Sequence, residues 1–151
     1  MTEEENMNFM PALIAALMVV ESGGICSSIG DGGKALGCLQ IHKGVIADVN
    51  RIYKTWFRHE DALNPALAKE ICEMYLRYWA EPACRGVASE QRPEICARIW
   101  NGGPAGHKKA STLGYWAKVR RELQSGKGTE AQRQNFGSKR KTAGPAALAL
   151  P

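Results

Sequence analysis

The chain has 151 residues, 44% of them apolar, and a formal net charge of +5; that suffices for one domain with its own core and is too little for two. The charge is uneven, because residues 124–151 hold Lys127, Arg133, Lys139, Arg140 and Lys141 against Glu130 alone, leaving the preceding part nearly neutral. The apolar stretch from Met10 to Val20 falls far short of the roughly 20 residues that cross a bilayer, and the acidic run Glu3-Glu4-Glu5 before it is the wrong sign for a secretory leader. The chain as written is therefore expected to carry neither an export signal nor a membrane anchor.

Residues 1–7 are read as a flexible acidic start. Pro11 then suits a first helical position, and Phe9, Leu13, Leu17 and Val20 recur with helical spacing up to Gly23-Gly24, where the helix is expected to stop. From Ile25 to Leu39 the periodicity vanishes and glycine accumulates around Asp31-Gly32-Gly33, which predicts a small hairpin or irregular lobe. Ile41, Val45, Val49 and Ile52 mark a second helix ending near Tyr53. Asn64-Pro65 is a cap followed by a proline, and Leu67, Ile71, Met74 and Tyr78 give the stripe of a third helix. A link from Glu81 to Gln91 precedes a fourth helix that begins around Arg92-Pro93 and carries Ile95 and Ile99 before Gly102-Gly103-Pro104 stops it, and a fifth spans Thr112 to Leu123 with Leu113, Trp116, Val119 and Leu123 on one side. The expected fold is mainly α, about five helices with a small lobe forming a cleft. Residues 8–123 are read as the folded domain and 124–151 as a basic, disordered tail.

Five cysteines, no two closer than twelve positions, match none of the short zinc or redox spacings. Free buried thiols and one or two disulfides are both open. There is no GxGxxG, GxxxxGK[ST] or HExxH pattern, so no cofactor or metal is expected. His42, His59 and His107 stand alone, without a nucleophile context.

Glu21 is the acid candidate, since it follows Leu17-Met18-Val19-Val20 at the negative end of a core-anchored helix, where burial and the dipole favour the protonated form; a solvated helix-end glutamate without function is its other reading. Cutting a glycosidic bond needs such an acid and commonly a second carboxylate. Asp31, at a glycine-rich turn downstream, is the candidate partner, and a plain Asx-turn role fits it equally. Gln40 and Asn101 offer amides that bind sugar hydroxyls. Trp100, Tyr115 and Trp116 offer flat faces for sugar stacking, with core packing as their other reading.

Four runs in order carry a resemblance: Val20-Glu21-Ser22-Gly23, Gly37-Cys38-Leu39-Gln40-Ile41, Ala97-Arg98-Ile99-Trp100-Asn101-Gly102-Gly103-Pro104, and Thr112-Leu113-Gly114-Tyr115-Trp116-Ala117-Lys118-Val119. They resemble successive motifs of the invertebrate-type lysozymes and of related phage and bacterial muramidases. More loosely, Glu21-Ser22, Gln40-Ile41 and Trp100-Asn101-Gly102-Gly103 are similar to motifs of the soluble lytic transglycosylases. The resemblance covers about residues 12–123 and implies a lysozyme-like fold that cleaves peptidoglycan between N-acetylmuramic acid and N-acetylglucosamine. It implies Glu21 as general acid, Asp31 as second carboxylate, and Ser22, Gln40, Trp100, Asn101, Gly102 and Tyr115 at the substrate. The stretch from Asp31 to Gln40 is shorter than theirs, and Cys38 stands where an apolar or aromatic residue is expected.

A muramidase is the favoured expectation, with a lytic transglycosylase and a non-catalytic glycan-binding or virion module as alternatives. The expected partners are glycan strands and, through the tail, an anionic envelope surface. Nucleic acid is not expected, and a monomer is. The missing leader fits a phage endolysin held in the host cytoplasm until a holin releases it, and equally a bacterial enzyme secreted by an unrecognised route.

Overall fold

The computed structural model describes residues 7–126. The chain runs α1 (Met10–Ser22), β1 (Ile29–Gly30), β2 (Ala35–Leu36), α2 (Lys43–Tyr53), α3 (Pro65–Cys84) and α4 (Arg92–Gly102), then α5 over 113–126. Short 3₁₀ turns at Asp31–Gly33, His59–Leu63, Ser89–Gln91, Gly106–Lys108 and Ala110–Thr112 connect these elements. The fold is thus mainly helical with one small antiparallel hairpin, as expected. The acidic start and the basic tail lie outside the described residues, apart from the positions that border them.

Local punctuation sets most boundaries. Pro11 sits in the first turn of α1, and Gly23 closes the helix in the left-handed region at φ 65°, a conformation that costs glycine little. Its N–H donates to the Val19 carbonyl at 2.8 Å while that of Gly24 donates to Met18 at 3.1 Å, so carbonyls that the helix end leaves open are satisfied. Asn64 caps α3 through its side-chain oxygen, which accepts from the N–H groups of Ala66 at 3.0 Å and Leu67 at 3.2 Å. In the hairpin, Ile29 faces Leu36 and Gly30 faces Ala35, and a bridge from Leu36 to Ile41 leads the chain into α2.

The core is continuous. Leu13 and Leu17 of α1, Ile71, Cys72 and Leu76 of α3, Ile99 of α4 and Val119 of α5 are all fully buried within it. Burying each large aliphatic side chain contributes about 1.5–3 kcal/mol. α4 packs against both α1 and α3, so α1 is held by helices from later in the chain. Among the described residues no helix is long and apolar enough to cross a membrane.

Four details differ from the expectations. The buried stripe of α3 is Ala68, Ile71, Cys72, Tyr75, Leu76 and Ala80, while Leu67 and Met74 are half-buried and Tyr78 is 45% exposed. α3 also runs through Pro82 to Cys84, into the stretch read as a link, because a proline so close to the end removes little of the remaining hydrogen bonding. Ile41 precedes α2, paired with Leu36, and Ile46 takes the buried place beside Val49. On α5, Val119 is buried, whereas Leu113 is 49% exposed.

Candidate active site

Glu21 lies in the last turn of α1, where the glycine cap turns the chain away. The neighbouring Ser22 ties this end down, its hydroxyl facing the carbonyls of Met18 at 3.1 Å and Cys38 at 2.8 Å. From α5, the Tyr115 hydroxyl donates to Glu21 Oε1 at 2.7 Å, an ordinary length for an O–H···O bond. Burial pushes the Glu21 carboxyl above its ordinary range, and the Tyr115 bond pulls it partly back. The phenol of Tyr115 is itself driven up, first by burial and then by the Glu21 charge. Beneath them the thiol of Cys72 is fully buried and held protonated, by burial first and by the Glu21 charge second. The result is a carboxyl that holds its proton further towards neutral pH.

That carboxyl opens onto a cavity of about 290 Å³ between the hairpin and the helices, lined among others by Glu21, Asp31, Gln40, His42, Trp100 and Asn101. Asp31 stands on the turn between the two strands with φ 50°, and its side chain is 63% exposed. Trp100 is held edge-on by Tyr75, with ring centroids 5.7 Å apart at 85°. Gln40, also left-handed at φ 49°, spends its amide N–H groups inside the hairpin, on the carbonyls of Gly37 at 2.9 Å and Ser28 at 3.3 Å. Its Oε1 fills the space that a Cβ on Gly30 would take, so Gln40 shapes the wall while its donors are committed.

Of the residues singled out by sequence, Glu21, Asp31, Gln40, Trp100 and Asn101 line this one cavity, and Tyr115 joins them through Glu21. Ser22 and Gly102 serve the framework. The Gly102 carbonyl accepts from Lys109 Nζ at 2.7 Å, and Thr112 Cγ2 would lie 2.6 Å from a Cβ at that position. The residue that sequence reasoning missed is His42, whose Nε2 lies 3.6 Å from Asp31 Oδ2. Its sequence signal is weak: it directly follows Gln40-Ile41, and only the fold-back of the hairpin brings it to Asp31.

All five cysteines are free thiols, and Cys38, Cys72, Cys84 and Cys96 are buried. The Cys38 thiol touches that of Cys26 and is pushed to about 11, burial being the larger cause. Among the described residues no group of three or more His, Cys, Asp or Glu is placed to hold a metal ion. The cavity thus brings together two carboxyls in contrasting surroundings, Glu21 half-buried and Asp31 open to solvent. No family model matches the chain.

Proposed function

We propose that the protein is a peptidoglycan-cleaving muramidase that hydrolyses the β-1,4 bond between N-acetylmuramic acid and N-acetylglucosamine. The observation that carries this reading is Glu21: a carboxyl raised by burial, fixed at 2.7 Å by Tyr115, and facing a cavity that also holds a solvent-open carboxyl, Asp31. Two carboxyls in such contrasting surroundings are the arrangement that glycoside hydrolysis uses.

In this mechanism protonated Glu21 donates its proton to the glycosidic oxygen as the bond to the anomeric carbon breaks. The departing sugar leaves as an alcohol, and positive charge builds on the ring that remains. Asp31, at the rim of the same cavity, either stabilises that charge while Glu21, now a carboxylate, takes a proton from the water that adds to the anomeric carbon, or orients that water and takes the proton itself. The ring of Trp100 gives the sugar a flat face and the exposed amide of Asn101 binds its hydroxyl or N-acetyl groups. The likeness of the four motifs to those of muramidases supports the same substrate class.

A second reading, a lytic transglycosylase, is favoured by one feature. Asp31 is 63% exposed, and a reaction in which the sugar's own hydroxyl attacks the anomeric centre requires Glu21 alone. The test of the shared claim is Glu21→Gln, which preserves shape and leaves Tyr115 an amide oxygen to bond. Removing a general acid is worth roughly 10²–10⁴ in rate, so peptidoglycan turnover should fall by that factor with the fold intact. Full turnover by the variant would take Glu21 out of the chemistry.

A further inference from the structure

We infer that His42 is a positioning residue that holds the Asp31 carboxyl towards the cavity. This rests on the hydrolytic reading above and deepens it, because it assigns to the second carboxyl the support that its exposed place otherwise lacks.

Three observations carry it. Asp31 is held in the left-handed region at φ 50° between Gly30 and Gly32, a position where glycine would be cheaper; strain of this kind persists where the surroundings enforce it and collects at functional sites. Of the three non-glycine residues with positive φ among the described residues, two, Asp31 and Gln40, line the cavity. The one basic side chain that reaches Asp31 among the described residues is His42, with Nε2 3.6 Å from Oδ2, an ion pair when the imidazole is protonated. Finally, His42 is free for this task and firmly mounted. It occupies the cap position of α2 without bonding the helix through its side chain. The residue before it is locked by the Leu36 bridge and by His59 Nε2, 2.7 Å from the Ile41 carbonyl.

Both side chains are at least half exposed, so water screens the pair and its effect is modest. His42 therefore acts through the placing of Asp31 rather than on the substrate. His42→Ala should lower kcat roughly fivefold, the upper end for a screened pair, with KM and melting temperature unchanged. His42→Gln, which keeps an N–H donor where Nε2 lies, should recover most of the loss.

The deciding experiment is a double-mutant cycle on peptidoglycan turnover with His42→Ala, Asp31→Asn and the double variant. The expected result is that His42→Ala has no further effect once Asp31 is Asn. Additive losses would overturn the positioning role while leaving the hydrolytic reading in place. An unchanged rate in Asp31→Asn would overturn the role by showing that Asp31 is not used, and would favour the transglycosylase reading. No turnover by the wild type would overturn the reading and this role together.

Discussion

Gly37 joins the hairpin to the segment that carries Gln40, and Gly37→Ala is the sharpest test of how that wall is held. A Cβ at Gly37 would lie 1.8 Å from the Ala62 carbonyl oxygen and 2.7 Å from its carbon, with φ at +80°. Holding alanine in the left-handed region costs about 1–2 kcal/mol. Relieving the overlap requires backbone to move by more than an ångström, since real Cβ contacts stay above 3.0 Å, and overpacking of this kind costs about 1–3 kcal/mol. The movement also strains the bond from Gly37 N–H to the Ser28 carbonyl at 2.8 Å and that from Gln40 Nε2 to the Gly37 carbonyl at 2.9 Å. The total is on the order of 2–5 kcal/mol, against a stability of about 5–15 kcal/mol for a typical domain. Urea unfolding followed by circular dichroism should show it as a shifted midpoint, and thermal melting as a fall of roughly 10–20 °C. Gly23→Ala is the control: φ there is +65°, but nothing lies within 4 Å of the added carbon, so only the backbone cost of about 1–2 kcal/mol remains. Equal losses in the two variants, or a Gly37→Ala loss below about 0.5 kcal/mol, would refute the close approach.

Glu21→Gln should raise stability at neutral pH while it removes activity. The folded state raises the Glu21 carboxyl, chiefly through burial, so stability is fully present below the ordinary glutamate range and is lost as pH rises through the folded value. The Gln variant lacks that slope, so its advantage in melting temperature should grow from pH 4 to pH 8, and a constant or shrinking difference would contradict the assignment. Tyr115→Phe removes the one bond that lowers the Glu21 carboxyl; the alkaline limb of the pH–rate profile should move to higher pH, and a downward shift would contradict this. Asn64→Ala deletes both capping bonds of α3 and should cost about 1 kcal/mol, read by urea titration, with turnover unchanged.

The parts of the fold that were legible in the sequence are those with local causes. Pro11 and Gly23-Gly24 bounded α1, Asn64-Pro65 started α3, and Gly102-Gly103 stopped α4 within a residue of the observed positions. The α3 stripe differs because the spacing of Leu67, Met74 and Tyr78 stands out in the sequence, whereas the buried face includes the small residues Ala68, Cys72 and Ala80, which mark no apolar stripe by themselves. Glu21, Asp31, Gln40, Trp100 and Asn101 were found by residue type and motif order, and they do share one cavity. What joins them was not legible. The bond from Tyr115 to Glu21 spans 94 positions, that from Ser22 to Cys38 spans 16, and His42 gains its meaning only when the hairpin turn folds back over it. Such contacts depend on tertiary closure, for which no local pattern exists.

The central claim is that Glu21 protonates a glycosidic bond of peptidoglycan and that water completes the cleavage. It is tested most directly by mass spectrometry of the muropeptides released by the purified protein, beside Glu21→Gln. Products ending in reducing N-acetylmuramic acid, absent with the variant, are the predicted result. Anhydro ends would replace hydrolysis by transglycosylation, and no released product from either protein would contradict the catalytic account.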